Sequence, residues 1–430
     1  MKIDPPSPRK PSKIVHNAVG LFGLQFVTKG LSAVWTFYLA RRLGAAYYGQ
    51  WANILALLSI FGVLQGFGTL SLVIRDVSQS PTRSKEIFGA STLIYGVAAI
   101  VSFILAVSTG LSLGYSGEKM TLLLIAAFSY LSYAPGLASQ SILYGHEEFL
   151  FYTSASSMGT ILYMLLGALA VESGWGIRGI FLALSVQYVF LSFFLFAKTR
   201  QKYGPPILAG SLATGVELTR LGIPLVLSAV LVEITLRADR VIIEHFLGAS
   251  TVGYYHAAFN LVYLPREVFL IPLVTAVYTR MCASYVHDRP TFERLFEKVN
   301  ASLLLVALPV ASLCVLFPHS IIRIFYGRAY ESSSPVLAFL VWMLPPFFFS
   351  SVWQSIFMIQ NRTKTYFLMN LIGAAFNLFC NVILVPRLGI VGSAVSALCT
   401  QGLLVCLIFW DLRREPLFHF GRRAWRIALA

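Results

Sequence analysis

From Ile14 onward the chain is a series of long apolar runs separated by short polar breaks. A run of about 20 apolar residues is the length at which a helix crosses the hydrocarbon of a bilayer. The period-two alternation required by a membrane barrel is absent, so the runs read as helices, whose backbone groups are satisfied internally. The pattern predicts twelve spans, over residues 14–40, 48–74, 87–113, 120–144, 150–171, 177–197, 217–238, 252–279, 299–317, 334–359, 365–386 and 390–411. With the N-terminus placed in the cytoplasm, 22 of the 33 Lys and Arg fall in inner segments, nine in outer segments and two, Lys29 and Arg266, inside spans. That bias predicts both termini on the cytoplasmic side of an inner membrane. The stretch Met1 to Lys13 is basic and Pro-rich. The apolar run after it is too long for a signal h-region, so a cytoplasmic tail and a first span are expected rather than a cleaved leader.

Composition agrees with the pattern. Charged residues make up 12% of the 430 and apolar residues 57%, whereas a soluble domain carries about 25% charged residues. A soluble enzyme is thereby excluded. The net charge of +15 follows from basic loops facing anionic lipid, and no nucleic-acid partner is needed to explain it. The five cysteines form no CxxC pair and read as small hydrophobic residues, so neither a disulfide framework nor a metal site is expected. There is no GxxxxGK[ST], HExxH or GxSxG motif. ATP hydrolysis, a catalytic residue and a cofactor are therefore not expected. A membrane glycosyltransferase or polymerase would need a larger outer loop than the longest one here, near 318–333.

Short motifs recur. Residues 43–49 read LGAAYYG and residues 247–253 read LGASTVG, an offset of 204. Residues 176–179 read GIRG and residues 389–392 read GIVG, an offset of 213. Both precede equivalent spans, which predicts an internal repeat. The expected organisation is a tail at 1–13, a six-helix lobe at 14–199, a Gly/Pro-rich linker at 200–216, a second six-helix lobe at 217–411 and a basic tail at 412–430. Six spans per half give both halves one orientation, and such parallel repeats place a substrate path between them.

On these residues the sequence resembles the polysaccharide-exporter (Wzx-type, O-antigen flippase) family of the multidrug/oligosaccharidyl-lipid/polysaccharide superfamily. The stretches that carry the resemblance are FYLARRLGAAYYGQWAN (37–53), ADRVIIEHFLGASTVGYYHAAFN (238–260), IFYGRAY (324–330) and LGIVGSAVSA (388–397). The resemblance implies an all-α polytopic membrane protein of about 12 transmembrane helices, a V-shaped, MATE-like bundle of two lobes around a polar cavity. It also implies flipping of a polyprenyl-pyrophosphate-linked oligosaccharide to the outer leaflet for O-antigen, capsule or exopolysaccharide synthesis, with polymerase machinery as a partner. An ion-coupled multidrug antiporter of the same superfamily is the alternative.

Ionisable residues at membrane depth are unfavourable unless they face a cavity or a partner. Lys29 sits mid-span beside Gln25, Ser32 and Thr36, and Glu233 sits 204 residues later at the repeat-equivalent place. Glu233 and Arg237 are four apart and can pair, as can Arg240 and Glu244. Arg266 and Glu267 follow Pro265, which can kink a helix and free a carbonyl. The functional expectation is that Lys29 and Arg266, with Arg237, Asp239 and Arg240 nearer the outside, line the cavity and attract pyrophosphate. Glu233 would neutralise Lys29 in the empty state, and Glu233 or Glu267 could couple transport to an ion. The structural alternative is a set of salt bridges. Asn370, Asn377 and Asn381 form a stripe suited to helix–helix hydrogen bonds, and Gly62/Gly66 and Gly110/Gly114 suit close helix packing.

Overall fold

The structure is a computed structural model, and the described residues are 11–208, 211–360 and 362–412. The basic tail residues Lys2, Arg9, Lys10 and 413–426 lie outside them, as do part of the linker and the side chains of Lys13 and Gln25. The described chain is helical, with no strand. Eleven helical stretches among the described residues are long and apolar enough to cross a membrane. The first, Phe26–Gln79, has 54 residues. As one straight α-helix at 1.5 Å per residue it would be about 80 Å long, more than two hydrocarbon thicknesses. It covers helix α1 (Pro11–Gly62) from Phe26 onward, with its break at Gly44, and α2 (Leu70–Gln79). Counting that stretch as two spans gives the expected twelve.

The break has a local cause. Gly44 has φ 70° and ψ 172°, a region open essentially to glycine alone. Its repeat mate Gly248 has φ 84° and ψ 170°, between α7 (Ser211–Leu247) and α8 (Ala249–Pro265). Gly176 and Gly389 share φ values of 53° and 62°. The LGA motif is therefore a repeated backbone conformation, and the second motif repeats a positive φ. The expected outer loop near 318–333 is instead largely helical, as α11 (Pro318–Phe325) and a 3-10 turn (Arg328–Ser333).

The chain packs as two compact units. The first holds the described residues of Met1–Trp35, Gln65–Ile104 and Leu124–Gly222. It contains most of α3 (Ser84–Ser112) and α4 (Gly117–Gly145), with α5 (Phe149–Glu172) and α6 (Gly176–Tyr203). On α3 the large residues Val97, Ile100, Val101 and Ile104 are exposed while Ala98, Ala99 and Ser102 are buried. Small residues inside and large apolar ones outside is the pattern of a helix solvated by lipid. A core cluster of Leu143, Ala155, Leu191 and Leu195 ties α4, α5 and α6 together.

At the turn between α4 and α5, His146 bonds Ser84 Oγ through Nε2 at 2.9 Å and stacks on Tyr203 with ring centroids 4.0 Å apart. Partial burial pulls its pKa below the ordinary 6.5, against the opposing pull of Glu148. Above that value the ring is neutral in both the folded and unfolded chain, and the turn is fully supported. As the pH falls below it, the unfolded chain takes up a proton that the folded turn resists, and stability declines. Thermal unfolding in detergent should therefore show a midpoint that drops more for wild type than for His146→Gln between about pH 7.5 and about pH 5.5.

The second unit holds Thr36–Leu64, Leu105–Leu123 and the described residues of Ile223–Ala430. In it, α1 beyond the break crosses α8 with no side chain between them. A Cβ at Gly49 would overlap the Ala249 carbonyl oxygen and lie 2.8 Å from Gly253 N, and a Cβ at Gly253 would overlap the Ala45 carbonyl oxygen. Gly49 and Gly253, like Ala45 and Ala249, are 204 residues apart, so the crossing is reciprocal between repeats. The expected glycine packing is absent at Gly66 and Gly114, where a Cβ would meet open space. Around the crossing, Tyr48 packs against Trp51, His256, Tyr326 and Tyr330. Further along, α14 (Thr363–Leu388) and α15 (Ile390–Leu412) are joined by Asn377 to Thr400 Oγ1 at 3.2 Å and Asn381 to Ser396 Oγ at 2.9 Å. That is the helix–helix role expected for these two residues.

Candidate functional site

Proline lacks the N–H that an α-helix interior needs. Just after Pro265 the helix widens into a five-residue π-turn, Arg266–Leu270, before α9 (Ile271–His287). Such turns re-aim side chains and recur at functional sites. Arg266 leaves this turn with its guanidinium 4.9 Å over the Tyr263 ring and 5.8 Å over the Phe347 ring. Its Nη1 donates to Glu267 Oε1 at 2.9 Å and to the Tyr263 hydroxyl. The side chain remains 25% exposed.

Arg266 lines a cavity of about 60 Å³ within the second unit. The remaining polar lining comes from Thr235 on α7, Ser350, Ser351 and Gln354 on α13 (Leu344–Ile359), Asn370 on α14 and Gln401 on α15. Val232, Leu236, Phe347 and Leu404 form apolar walls. Gln401 Oε1 accepts from Ser350 Oγ at 3.2 Å, and Asn370 Nδ2 donates to the Tyr366 carbonyl at 2.8 Å. Among the described residues the amide nitrogen of Gln401 and the whole amide of Gln354 make no hydrogen bond. Asn370 thus lines the cavity and bonds back to its own helix, unlike Asn377 and Asn381, which reach α15.

The other expected charges go elsewhere. Glu233 does pair with Arg237, Oε2 to Nε at 3.0 Å. Arg240 does not reach Glu244. It is fully buried, donates from Nε to His256 Nδ1 at 3.1 Å and from Nη1 to the Leu236 carbonyl at 3.3 Å, and lies 4.3 Å over the Phe259 ring. Asp239 is buried beside it and accepts from the Tyr255 hydroxyl at 2.5 Å and from Arg240 N–H at 2.8 Å. Arg240 and Asp239 are thus packed into a buried network rather than lining the Arg266 cavity. Four-residue spacing permits a pair but does not select it when a buried partner competes. Asn260 extends the network from His256 to the Tyr48 hydroxyl, at 3.2 and 3.1 Å.

Glu244 is taken by distant residues. It accepts from Lys119 Nζ at 2.6 Å, Tyr115 Oη at 3.1 Å and Asn53 Nδ2. At 8% exposure a carboxylate needs several donors, and these supply them. Lys29 belongs to the first unit and is exposed on α1. Nearby, Thr28 Oγ1 meets Ser157 Oγ at 2.8 Å, and Ser32 Oγ donates back to the Thr28 carbonyl.

Sequence reasoning from charge alone passed over Gln354, Gln401, His256 and the Lys119–Glu244 pair. The glutamines did leave a signal, as polar interruptions in two otherwise apolar spans. Lys119 and Glu244 left none, being 125 residues apart.

The profile of a family described as polysaccharide biosynthesis protein matches residues 38–335. The succinoglycan biosynthesis transport protein ExoT of Rhizobium meliloti is 25% identical over 331 residues, which cover 76% of this chain and 64% of that protein. The chain spans less than two thirds of the length of the curated relatives it matches. Among solved structures, the lipid II flippase MurJ in an inward closed conformation superposes with a TM-score of 0.73 at 17% identity, covering 94% of this chain and 90% of that one. An inward-facing multidrug resistance MATE family transporter of the MOP superfamily gives 0.69 at 16% identity, with 96% and 99% covered. These likenesses show a shared fold. A multi-pass helical membrane protein with that fold and that matched profile belongs to the polysaccharide biosynthesis protein family.

Proposed function

We propose that the chain is a flippase. It carries a polyprenyl-pyrophosphate-linked oligosaccharide from the cytoplasmic to the outer leaflet of the inner membrane, by alternating access, for surface polysaccharide assembly. The observation that carries this reading is the Arg266 guanidinium in a cavity lined by carboxamides, within a bundle of apolar helices. A pyrophosphate needs a cation at membrane depth, and a partly desolvated guanidinium offers a planar fork to its oxygens. Glu267 neutralises Arg266 until the anion displaces it. Lys29 is a second cation for the same cargo and Arg237, held by Glu233, a third. The relatives' names, a lipid II flippase and a succinoglycan transport protein, point to the same class of cargo. Translocation makes and breaks no covalent bond, so the chain acts as a transporter and not as an enzyme. In this reading 14–199 and 217–411 are the moving lobes, both termini are cytoplasmic, Glu233 or Glu267 couples transport to an ion, and a polymerase takes the product outside.

Deletion in a strain with its polymerase intact should abolish surface glycan and accumulate lipid-linked repeat units in the cytoplasmic leaflet. Intact surface glycan together with new drug sensitivity would overturn the proposal in favour of an antiporter.

A further inference from the structure

The polar groups of the Arg266 cavity have a common character. Apart from Arg266 they are uncharged, and each carboxamide of Gln354, Asn370 and Gln401 offers both a donor and an acceptor. Gln401 is only 5% exposed. Its amide nitrogen has no partner among the described residues, yet the side chain lines the cavity. That nitrogen is open to the cavity, where a ligand or water can satisfy it. A sugar hydroxyl, which both donates and accepts, fits that set. A metal cation does not fit, because the Arg266 charge shares the same space.

Size narrows the match. A water centre occupies about 10–15 Å³, so this cavity of about 60 Å³ has room for about four to six waters. That suits one hydroxyl edge of a pyranose and not an oligosaccharide. Phe347 and Leu404 supply apolar walls for the C–H face of the ring. We propose that the cavity holds the hydroxyl edge of a single neutral sugar, the one attached to the pyrophosphate, through Gln401, Gln354 and Asn370. The neighbouring Arg266 dictates that position, since it places the anion beside the hydroxyls. The inference rests on the flippase reading and adds the part of the cargo that is recognised.

The test uses the full chain in lipid nanodiscs and two probes, a polyprenyl-pyrophosphoryl hexose and the same polyprenyl pyrophosphate without sugar. Wild type should bind the hexose probe about tenfold more tightly, the effect of roughly one or two net hydrogen bonds. Gln401→Leu and Gln354→Leu should each erase most of that preference and leave affinity for the sugar-free probe unchanged. Gln354 makes no hydrogen bond within the described protein, so its replacement keeps the test valid if Gln401→Leu fails to fold. Equal binding of both probes by wild type, or a preference that survives both substitutions, overturns the inference alone. Failure of wild type to bind either probe overturns the flippase reading, and the inference with it.

Discussion

Arg266→Gln should lower glycan export by about 10-fold to 100-fold at unchanged protein level, with Arg266→Lys falling between. Hydrogen bonds to a charged group contribute about 1.5–3 kcal/mol, which sets that range. Lysine keeps the charge but loses the planar fork and the stacking over Tyr263 and Phe347. Arg266 is also the partner of Glu267 at 2.9 Å, so the loss could arise from a stranded carboxylate instead. The double variant Arg266→Gln/Glu267→Gln separates the two causes. If Arg266 contacts the cargo, export stays low in the double variant. If Arg266 only balances Glu267, removing both charges restores export, and the anion-binding role is lost. Export is read as surface glycan divided by the amount of protein in the membrane.

A second large effect is expected in stability. Gly49→Ala and Gly253→Ala should each destabilise the protein by about 1–3 kcal/mol or more, the range for inserting atoms into filled space. The added methyl group meets backbone, the Ala249 carbonyl in one case and the Ala45 carbonyl in the other. Backbone cannot rotate away as a side chain does, so the helices must part. Because the two clashes lie at one reciprocal crossing, the double variant should lose less than the sum of the single losses. Gly402→Ala on α15 is the control. A Cβ there meets nothing within 4 Å, and replacing a helical glycine in open space should stabilise by about 0.5–1 kcal/mol. Thermal midpoints in detergent report all four proteins. Wild-type midpoints for both single variants would mean that the crossing is open in the solubilised protein.

The spans, their number and the repeat were legible in the chain because they depend on local properties. Apolar run length fixes where a helix can cross a bilayer. A glycine in an LGA motif marks a backbone conformation that other residues avoid, which is why Gly44 and Gly248 match in angle as they match in sequence. Pro265 announced a disturbed helix for the same reason, and the π-turn at Arg266 lies directly after it.

Partner choice was not legible. Helical spacing allowed both the Glu233–Arg237 and Arg240–Glu244 pairs. Only the first forms, because His256 arrives beside Arg240 and Lys119 beside Glu244. The cavity shows the same division. Arg266 stands out in sequence as a charge in a span, but Gln354, Asn370 and Gln401 come from three other helices. Their grouping depends on how each helix is rotated and packed. The sequence by itself determined a twelve-span helical membrane protein with an internal repeat, since hydrophobic length and glycine backbone freedom are properties of single segments. Only the tertiary structure decided which polar groups pair and which share a cavity, since that is set by contacts between helices far apart along the chain.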